Sequence, residues 1–156
     1  MGRLLYMRIE SYQKEHFETC MQIIQSNTPK YILPIEHLDF KKYLLKEDKT
    51  YFVFFKNNNL VACGGYGLNE TKTKAGLCWG LVHRKYHKQG YGSRSLKYRL
   101  NHIMINYPEI EIHLDTSQHT HQFFEKFGFI TEQITKNGYG EGLDKYDMTL
   151  NKDSNL

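Results

Sequence analysis

Cysteine is scarce, with three in 156 residues at Cys20, Cys63 and Cys78. An odd count without paired metal-ligand spacing excludes a disulfide scaffold and leaves free thiols in a reducing compartment as the simplest reading. Proline also numbers three, which excludes Pro-rich linkers. No apolar run approaches the roughly 18 residues of a membrane span. At the N-terminus Leu4-Leu5 is too short an apolar core for a signal peptide, and Tyr6 stands where a myristoylation signal beginning at Gly2 wants Ser or Thr. Asn69-Glu70-Thr71 matches a glycosylation sequon, which means little in a cytoplasmic chain. Neither sign of charge dominates: 21 Lys+Arg against 17 Asp+Glu give a net +4, too small an excess to name an anionic partner. Internal repeats and low-complexity tracts are absent. The expectation is a cytoplasmic protein that touches no membrane.

Aromatic residues are plentiful, at 14% with 12 Tyr and 9 Phe, and 40% of the chain is hydrophobic. Disordered chains are poor in both. The length suits one domain over 1–156, with a core of 7–150 and a tail of 151–156.

Met7 to Glu10 alternates as a short strand. Residues 13–26 place Phe17, Cys20, Met21 and Ile24 at helical spacing, and Asn27-Thr28-Pro29 stops that helix. A second helix over 36–46 carries Leu38, Tyr43, Leu44 and Leu45. Tyr51–Phe55 and Leu60–Tyr66 form a hairpin around a turn of asparagines, and Ala75–His83 is a mostly apolar strand. A long helix opens at Gly90 and Gly92, with Leu96, Leu100, Ile103 and Met104 on its face, and ends at Tyr107-Pro108. Then follow a strand at 110–114, a short helix at 118–127 and strands at 129–135 and 145–150, joined by the Gly-rich loop 137–142. Mixed strands with interspersed helices predict an α/β (α+β) domain on one twisted sheet.

The informative segment runs from Leu81 to Ser93: an apolar strand, a loop with Arg84, Lys85 and Lys88, then Gly90-Tyr91-Gly92 at a helix mouth. A helix start leaves backbone N–H groups unpaired and partly positive, and glycines let an anion come close, so the pattern predicts a phosphate site. It is neither a Walker A loop, since Arg94 follows Ser93 where Lys-Ser/Thr is required, nor a dinucleotide fingerprint, since Ser95 stands at the third glycine. Glycines of an ordinary turn before a helix are the bland alternative.

In context the chain resembles the GNAT family of N-acetyltransferases. That family's acetyl-CoA motif is a strand ending in Val, a basic loop, then Arg/Gln-x-x-Gly-x-Gly/Ala opening a long helix. Val82 and His87-Lys88-Gln89-Gly90-Tyr91-Gly92 match it, with His87 where Arg or Gln is usual. A second signature, Tyr-Glu-Lys-x-Gly-Phe, reads Phe124-Glu125-Lys126-Phe127-Gly128-Phe129 here. The resemblance covers residues 7–150. It implies a central mixed sheet of about six or seven strands flanked by about four helices and splayed between strands 4 and 5. It further implies acetyl-CoA in that gap as cosubstrate, its pyrophosphate on the N–H groups of residues 88–93 and its pantetheine along the backbone of Leu81 and Val82, with no metal.

The same resemblance frames the chemistry, which is attack of a primary amine of a small molecule or peptide on the thioester. The N–H near Val82 is the expected oxyanion donor. The usual acid is a Tyr hydroxyl beside the sulfur; here it is Phe124, which has no proton to give, and Tyr139 is the first substitute. His113, His119 and His121 are candidate bases, His119 the one chosen, since an ordinary histidine pKa of about 6.5 suits proton acceptance near neutrality. Ser117 and Thr120 stand near a cofactor-touching Asn of relatives; the bland alternative is that Ser117 or Thr116 caps the following helix. Tyr31, Ile32, Leu33 and His37 are expected to wall the acceptor pocket, and no acidic cluster stands out. Two other readings stay open: an acyl-CoA-binding sensor with little turnover, and a nucleic-acid-binding domain using the basic stretch 83–88 with Arg94, Lys97 and Arg99, although no nucleic-acid motif is present. A monomer or a homodimer is expected.

Overall fold

The computed structural model describes residues 7–153; the readings of the N-terminal six residues and of 154–156 fall outside them. The elements follow the order expected from sequence: β1 (Arg8–Ser11), α1 (Phe17–Ser26), α2 (Glu36–Leu44), β2 (Thr50–Lys56), β3 (Asn59–Leu68), β4 (Lys74–Val82), α3 (Tyr91–Asn106), β5 (Glu111–Thr116), α4 (His121–Glu125), β6 (Phe129–Gly140) and β7 (Leu143–Leu150). Single 3-10 turns occupy Lys14–His16 and Arg84–Tyr86. The strands form one seven-stranded mixed sheet in the order β1-β2-β3-β4-β5-β7-β6.

The chain forms two compact units. One holds the described residues up to Tyr66 together with Trp79–His102; the other holds Gly67–Cys78 and the residues from Ile103 onward. In the first, β1 and β3 flank β2 antiparallel, with Ile9 opposite Phe54 and Val53 opposite Cys63. Residues 51–55 of β2 are all buried, as expected of a strand covered on both faces. Asn57, at φ +55, makes the β2–β3 turn; Asn tolerates the left-handed region better than most residues. The core gathers Cys20, Ile23 and Ile24 of α1, Phe40 and Leu44 of α2, and Tyr51, Val53, Phe55, Cys63 and Leu81 of the sheet. Ile23, Ile24 and Phe40 are fully buried. Each such side chain contributes about 1.5–3 kcal/mol, more than propensity adds per residue, so packing holds these short helices.

In the second unit, Lys74–Gly76 of β4 pair in parallel with Glu111–His113 of β5, and β5 and β6 each pair antiparallel with β7. Ile112 and Leu114 of β5 and Met148 and Leu150 of β7 are buried, so Glu111, His113 and Asp115 take the opposite face.

Four details differ from the sequence reading. The helix expected over 13–26 is a 3-10 turn followed by α1. On α2 the buried line is Phe40 and Leu44, one turn apart, while Leu38 and Leu45 are 58% and 65% exposed. The helix expected over 118–127 shrinks to α4. Its first turn is diverted at Ser117, whose carbonyl takes the amides of Thr120 and His121 and whose Oγ takes that of His119. The Gly-rich loop 137–142 is mostly strand. The Asn137 amide donates to Asp144 Oδ1 and the Gly142 amide to Asn137 Oδ1, both at 2.9 Å, which carries β6 to Gly140 and leaves a two-residue turn at Glu141-Gly142.

Candidate active site

β4 ends at Val82 and α3 begins at Tyr91, and the segment between them is organised by hydrogen bonds that can be followed residue by residue. The His83 amide donates to Val61 O at 2.9 Å, Arg84 N to Ser26 Oγ at 3.0 Å and Lys85 N to His83 Nδ1 at 3.1 Å. Tyr86 N and His87 N close the 3-10 turn on His83 O and Arg84 O. Every amide from 83 to 87 is therefore engaged within the protein. Among the described residues no partner is found for the amides of residues 88–93, three of which open α3.

The backbone of that open stretch is left-handed at Lys88, φ +63, and again at Gly90, φ +89. Alternation through the left-handed region turns successive N–H groups toward one concavity, which attracts anions. Adding a Cβ at Gly90 meets nothing within 4 Å, so the concave side is open. Arg84, Lys85 and Lys88, in the same segment, are exposed. Tyr91 is 1% exposed, packed edge-on to Tyr86 with ring centroids 6.0 Å apart, and anchors the turn from beneath. Residues 88–93 thus present a run of unpartnered amides on a backbone that is left-handed at Lys88 and Gly90.

The His87 ring turns back onto the end of β4. Its Nε2 lies 2.8 Å from Val82 O, and a carbonyl only accepts, so Nε2 carries the hydrogen. In the neutral ring Nδ1 then holds a lone pair and offers no donor to a phosphate. The ring packs edge-on to Tyr31 at 5.4 Å, and the Arg84 guanidinium lies over the same Tyr31 at 5.5 Å. Val82 O also accepts from Asn27 Nδ2 at 3.0 Å. Burial, then the charges of Lys85 and His87, lower the pKa of His83, which favours the neutral ring whose Nδ1 accepts from Lys85. Leu81 is buried in the core, which leaves its side chain no surface to offer a ligand.

Upstream on β4, Trp79 has φ +47, a costly conformation for a bulky residue. Tyr51 Oη fixes it by donating to Trp79 O at 2.7 Å, and the indole packs on Phe40 with centroids 5.0 Å apart. Nothing in the sequence announces this distortion.

The remaining candidates lie in the second unit. Phe124 on α4 packs edge-on to Phe123 at 5.1 Å and to Phe129 at 6.0 Å, within a cluster of aromatic rings. Ser117 Oγ accepts from the His119 amide and Thr120 Oγ1 bonds Thr116 Oγ1, so both hydroxyls serve the turn before α4. The sequence reading places His119 and His121 on one helix; His119 is instead exposed in the turn, and His121 begins α4. His121 lies flat on Tyr146 at 4.3 Å, and its Nδ1 is 2.7 Å from Glu125 Oε2, the arrangement that orients an imidazole. Tyr139 is on β6, and its hydroxyl donates to Asp115 Oδ2. Asp115 stands directly opposite Asp147 in the β5–β7 register, a juxtaposition that sequence reasoning missed because it depends on strand pairing. Among the described residues no group of His, Cys, Asp and Glu could hold a metal ion. No helix among them is long and apolar enough to cross a membrane.

Solved structures share this fold. The ribosomal-protein-S18-alanine N-acetyltransferase of Escherichia coli superimposes with a TM-score of 0.77 at 17% identity, over 97% of this chain and 100% of that one. An aminoglycoside 6′-N-acetyltransferase solved with coenzyme A gives 0.73 at 14% identity, over 91% and 95%. An N-acetyltransferase from Staphylococcus aureus Mu50 gives 0.73 at 13% identity, over 94% and 98%. No curated protein matches the chain in sequence. The acetyltransferase (GNAT) domain family, in contrast, matches residues 10–152, and the chain belongs to that family.

Proposed function

We propose that this chain is a single acetyltransferase domain that moves the acetyl group of acetyl-CoA to a primary amine of a small molecule or peptide by direct attack in a ternary complex. The observation that carries the reading is the run of unengaged amides over residues 88–93, curved by left-handed backbone at Lys88 and Gly90. These suit the pyrophosphate, with Gln89, Tyr91, Gly92 and Ser93 contributing main chain and Lys88 added charge. Leu81 and Val82 suit the pantetheine arm as a strand edge. Membership of the family further assigns Ser117, Thr120 and Phe124 to the cofactor. When bound, the thioester supplies an activated acetyl group and a thiolate leaving group. The Val82 N–H is assigned to the developing oxyanion, a role in which one donor contributes about 3–4 kcal/mol in other enzymes. His119 is assigned to accept the amine proton. Three free cysteines support a cytoplasmic, reducing setting.

Tyr139 is assigned to protonate the departing sulfur in place of Phe124. Its hydroxyl proton is turned toward Asp115, so it must swing from that carboxylate to act. Tyr139→Phe is expected to lower kcat about a hundredfold with little change in the KM for acetyl-CoA. An unchanged kcat removes Tyr139 from the role.

Phe124 favours a second reading, an acyl-CoA sensor with little turnover, since it is committed to aromatic packing and has no hydroxyl. One experiment separates the two. Coenzyme A is titrated calorimetrically, and free thiol is followed with acetyl-CoA and a panel of amines and amino-terminal peptides. Binding with thiol release supports the transferase, binding with none across the panel supports the sensor, and absence of binding overturns both.

A further inference from the structure

We propose that Asn27, aided by its neighbour Ser26, is a positioning residue for the cofactor: it sets the end of β4 before the pantetheine arm arrives. The inference rests on the acetyl-CoA reading above. The two side chains project from the end of α1 and grip main chain on either side of His83. Asn27 Nδ2 donates to Val82 O at 3.0 Å and to Ile23 O at 2.9 Å. Ser26 Oγ accepts from Arg84 N at 3.0 Å and donates to Ile23 O at 2.7 Å.

The usual reasons for an asparagine at a helix end do not apply. Its backbone is at φ −96, ψ 1, outside the left-handed region in which Asn substitutes for Gly after a helix. Solubility does not explain it either, because the residue is 3% exposed, and a buried amide is costly unless its hydrogen bonds are made. What the site uses is the side-chain N–H.

The consequence falls on one peptide plane. Val82 O takes two side-chain donors, Asn27 Nδ2 and His87 Nε2, while the N–H of the same peptide, at His83, donates to Val61 O at 2.9 Å. Both ends of that plane are fixed, and the oxygen end is fixed by side chains. The strand edge is thereby pre-organised, which lowers the ordering cost of any extended ligand laid along it. The phosphate-binding amides of 88–93 lie beyond this clamp and do not depend on Asn27 directly.

That division gives the test. Asn27→Ser keeps a hydroxyl able to bond Ile23 O, as Ser26 does, and loses the reach to Val82 O. Coenzyme A and its phosphoadenosine diphosphate fragment, which has the pyrophosphate and lacks pantetheine, are titrated at a temperature where circular dichroism shows the variant folded. The coenzyme A Kd is expected to rise about tenfold, the size of one hydrogen bond's effect, with the fragment's Kd within about twofold of wild type. An unchanged coenzyme A Kd overturns the proposal, and so does an equal loss for both ligands, which marks general loosening. Should Asn27→Ser fail to fold, His87→Leu removes the other donor from the same carbonyl. It is expected to show the same split, and His87→Gln, which restores an N–H, to reverse it; a variant without the split overturns the proposal. Wild-type protein that binds neither ligand overturns the acetyl-CoA reading and this inference with it, so the wild-type titration tells the two failures apart.

Discussion

Gly90→Glu abolishes coenzyme A binding while the protein stays folded: that is the expected result of the most direct test of the phosphate cradle. Two effects act at this position. An added Cβ meets nothing within 4 Å, so the first atom of the side chain finds open space. Its carboxylate is expected to compete with the diphosphate at the proposed cradle. Two like charges about 4 Å apart repel by about 4 kcal/mol at the effective dielectric of a protein surface, close to a thousandfold in Kd. The other effect is on stability. Gly90 has φ +89, and a residue with a Cβ pays about 1–2 kcal/mol there, a modest fraction of a domain's stability. Gly90→Ala carries the same strain without the charge, so titrating both variants separates the two effects. Alanine is expected to lose at most about tenfold, and raising the salt concentration is expected to recover part of the glutamate's loss and none of the alanine's. A folded Gly90→Glu protein that binds coenzyme A as wild type does would show that residues 88–93 are not the phosphate site.

The contrast between what the sequence announced and what it hid follows chain distance. The β2 and β3 strands, the α1 stripe and the glycines before α3 are local patterns, and local patterns survive in a linear string. The site's finer chemistry is not local. Asn27 meets Val82 across 55 residues, and Tyr139 meets Asp115 across 24. Asp115 stands opposite Asp147 only because β5 and β7 pair in that register, which no spacing along the chain reveals. Lys88 gives no hint that it is left-handed, since lysine has no preference for that region. In α3, Tyr91, Ser95 and Arg99, each one turn beyond the last, are all under 5% exposed, so Arg99 is not on the basic surface where the sequence reading put it. A polar line at helical spacing reads as a solvent face. Here it is buried because glycines on β3 and β4 make room: a Cβ at Gly64 or Gly80 would lie 2.8 Å from the Arg99 guanidinium.

The glycine next to Gly64 gives the largest expected effect on stability. Gly65 lies directly opposite Tyr51 in the β2–β3 pair, and a Cβ there would stand 2.1 Å from Thr50 O and 2.7 Å from the Tyr51 ring. No rotamer relieves a clash with main chain, so the strands must part. That breaks the pairing next to Tyr51, whose hydroxyl holds Trp79 O. Gly65→Ala is expected to cost about 3–5 kcal/mol, the range of severe core lesions, and to lower the melting temperature by about 10 °C or more. Gly64→Ala meets only the end of a flexible side chain, yet the guanidinium it displaces is buried and donates to Gly65 O at 3.4 Å. A loss of about 1–2 kcal/mol follows from that. Gly67→Ala meets nothing within 4 Å and is expected to be neutral or to stabilise by about 0.5 kcal/mol through the unfolded chain. Thermal unfolding of the three variants should therefore rank 65 well below 64, and 64 below 67. If Gly65→Ala melts with Gly67→Ala, then β2 and β3 do not pair in this register, and the placement of Tyr51 against Trp79 that shapes β4 loses its foundation.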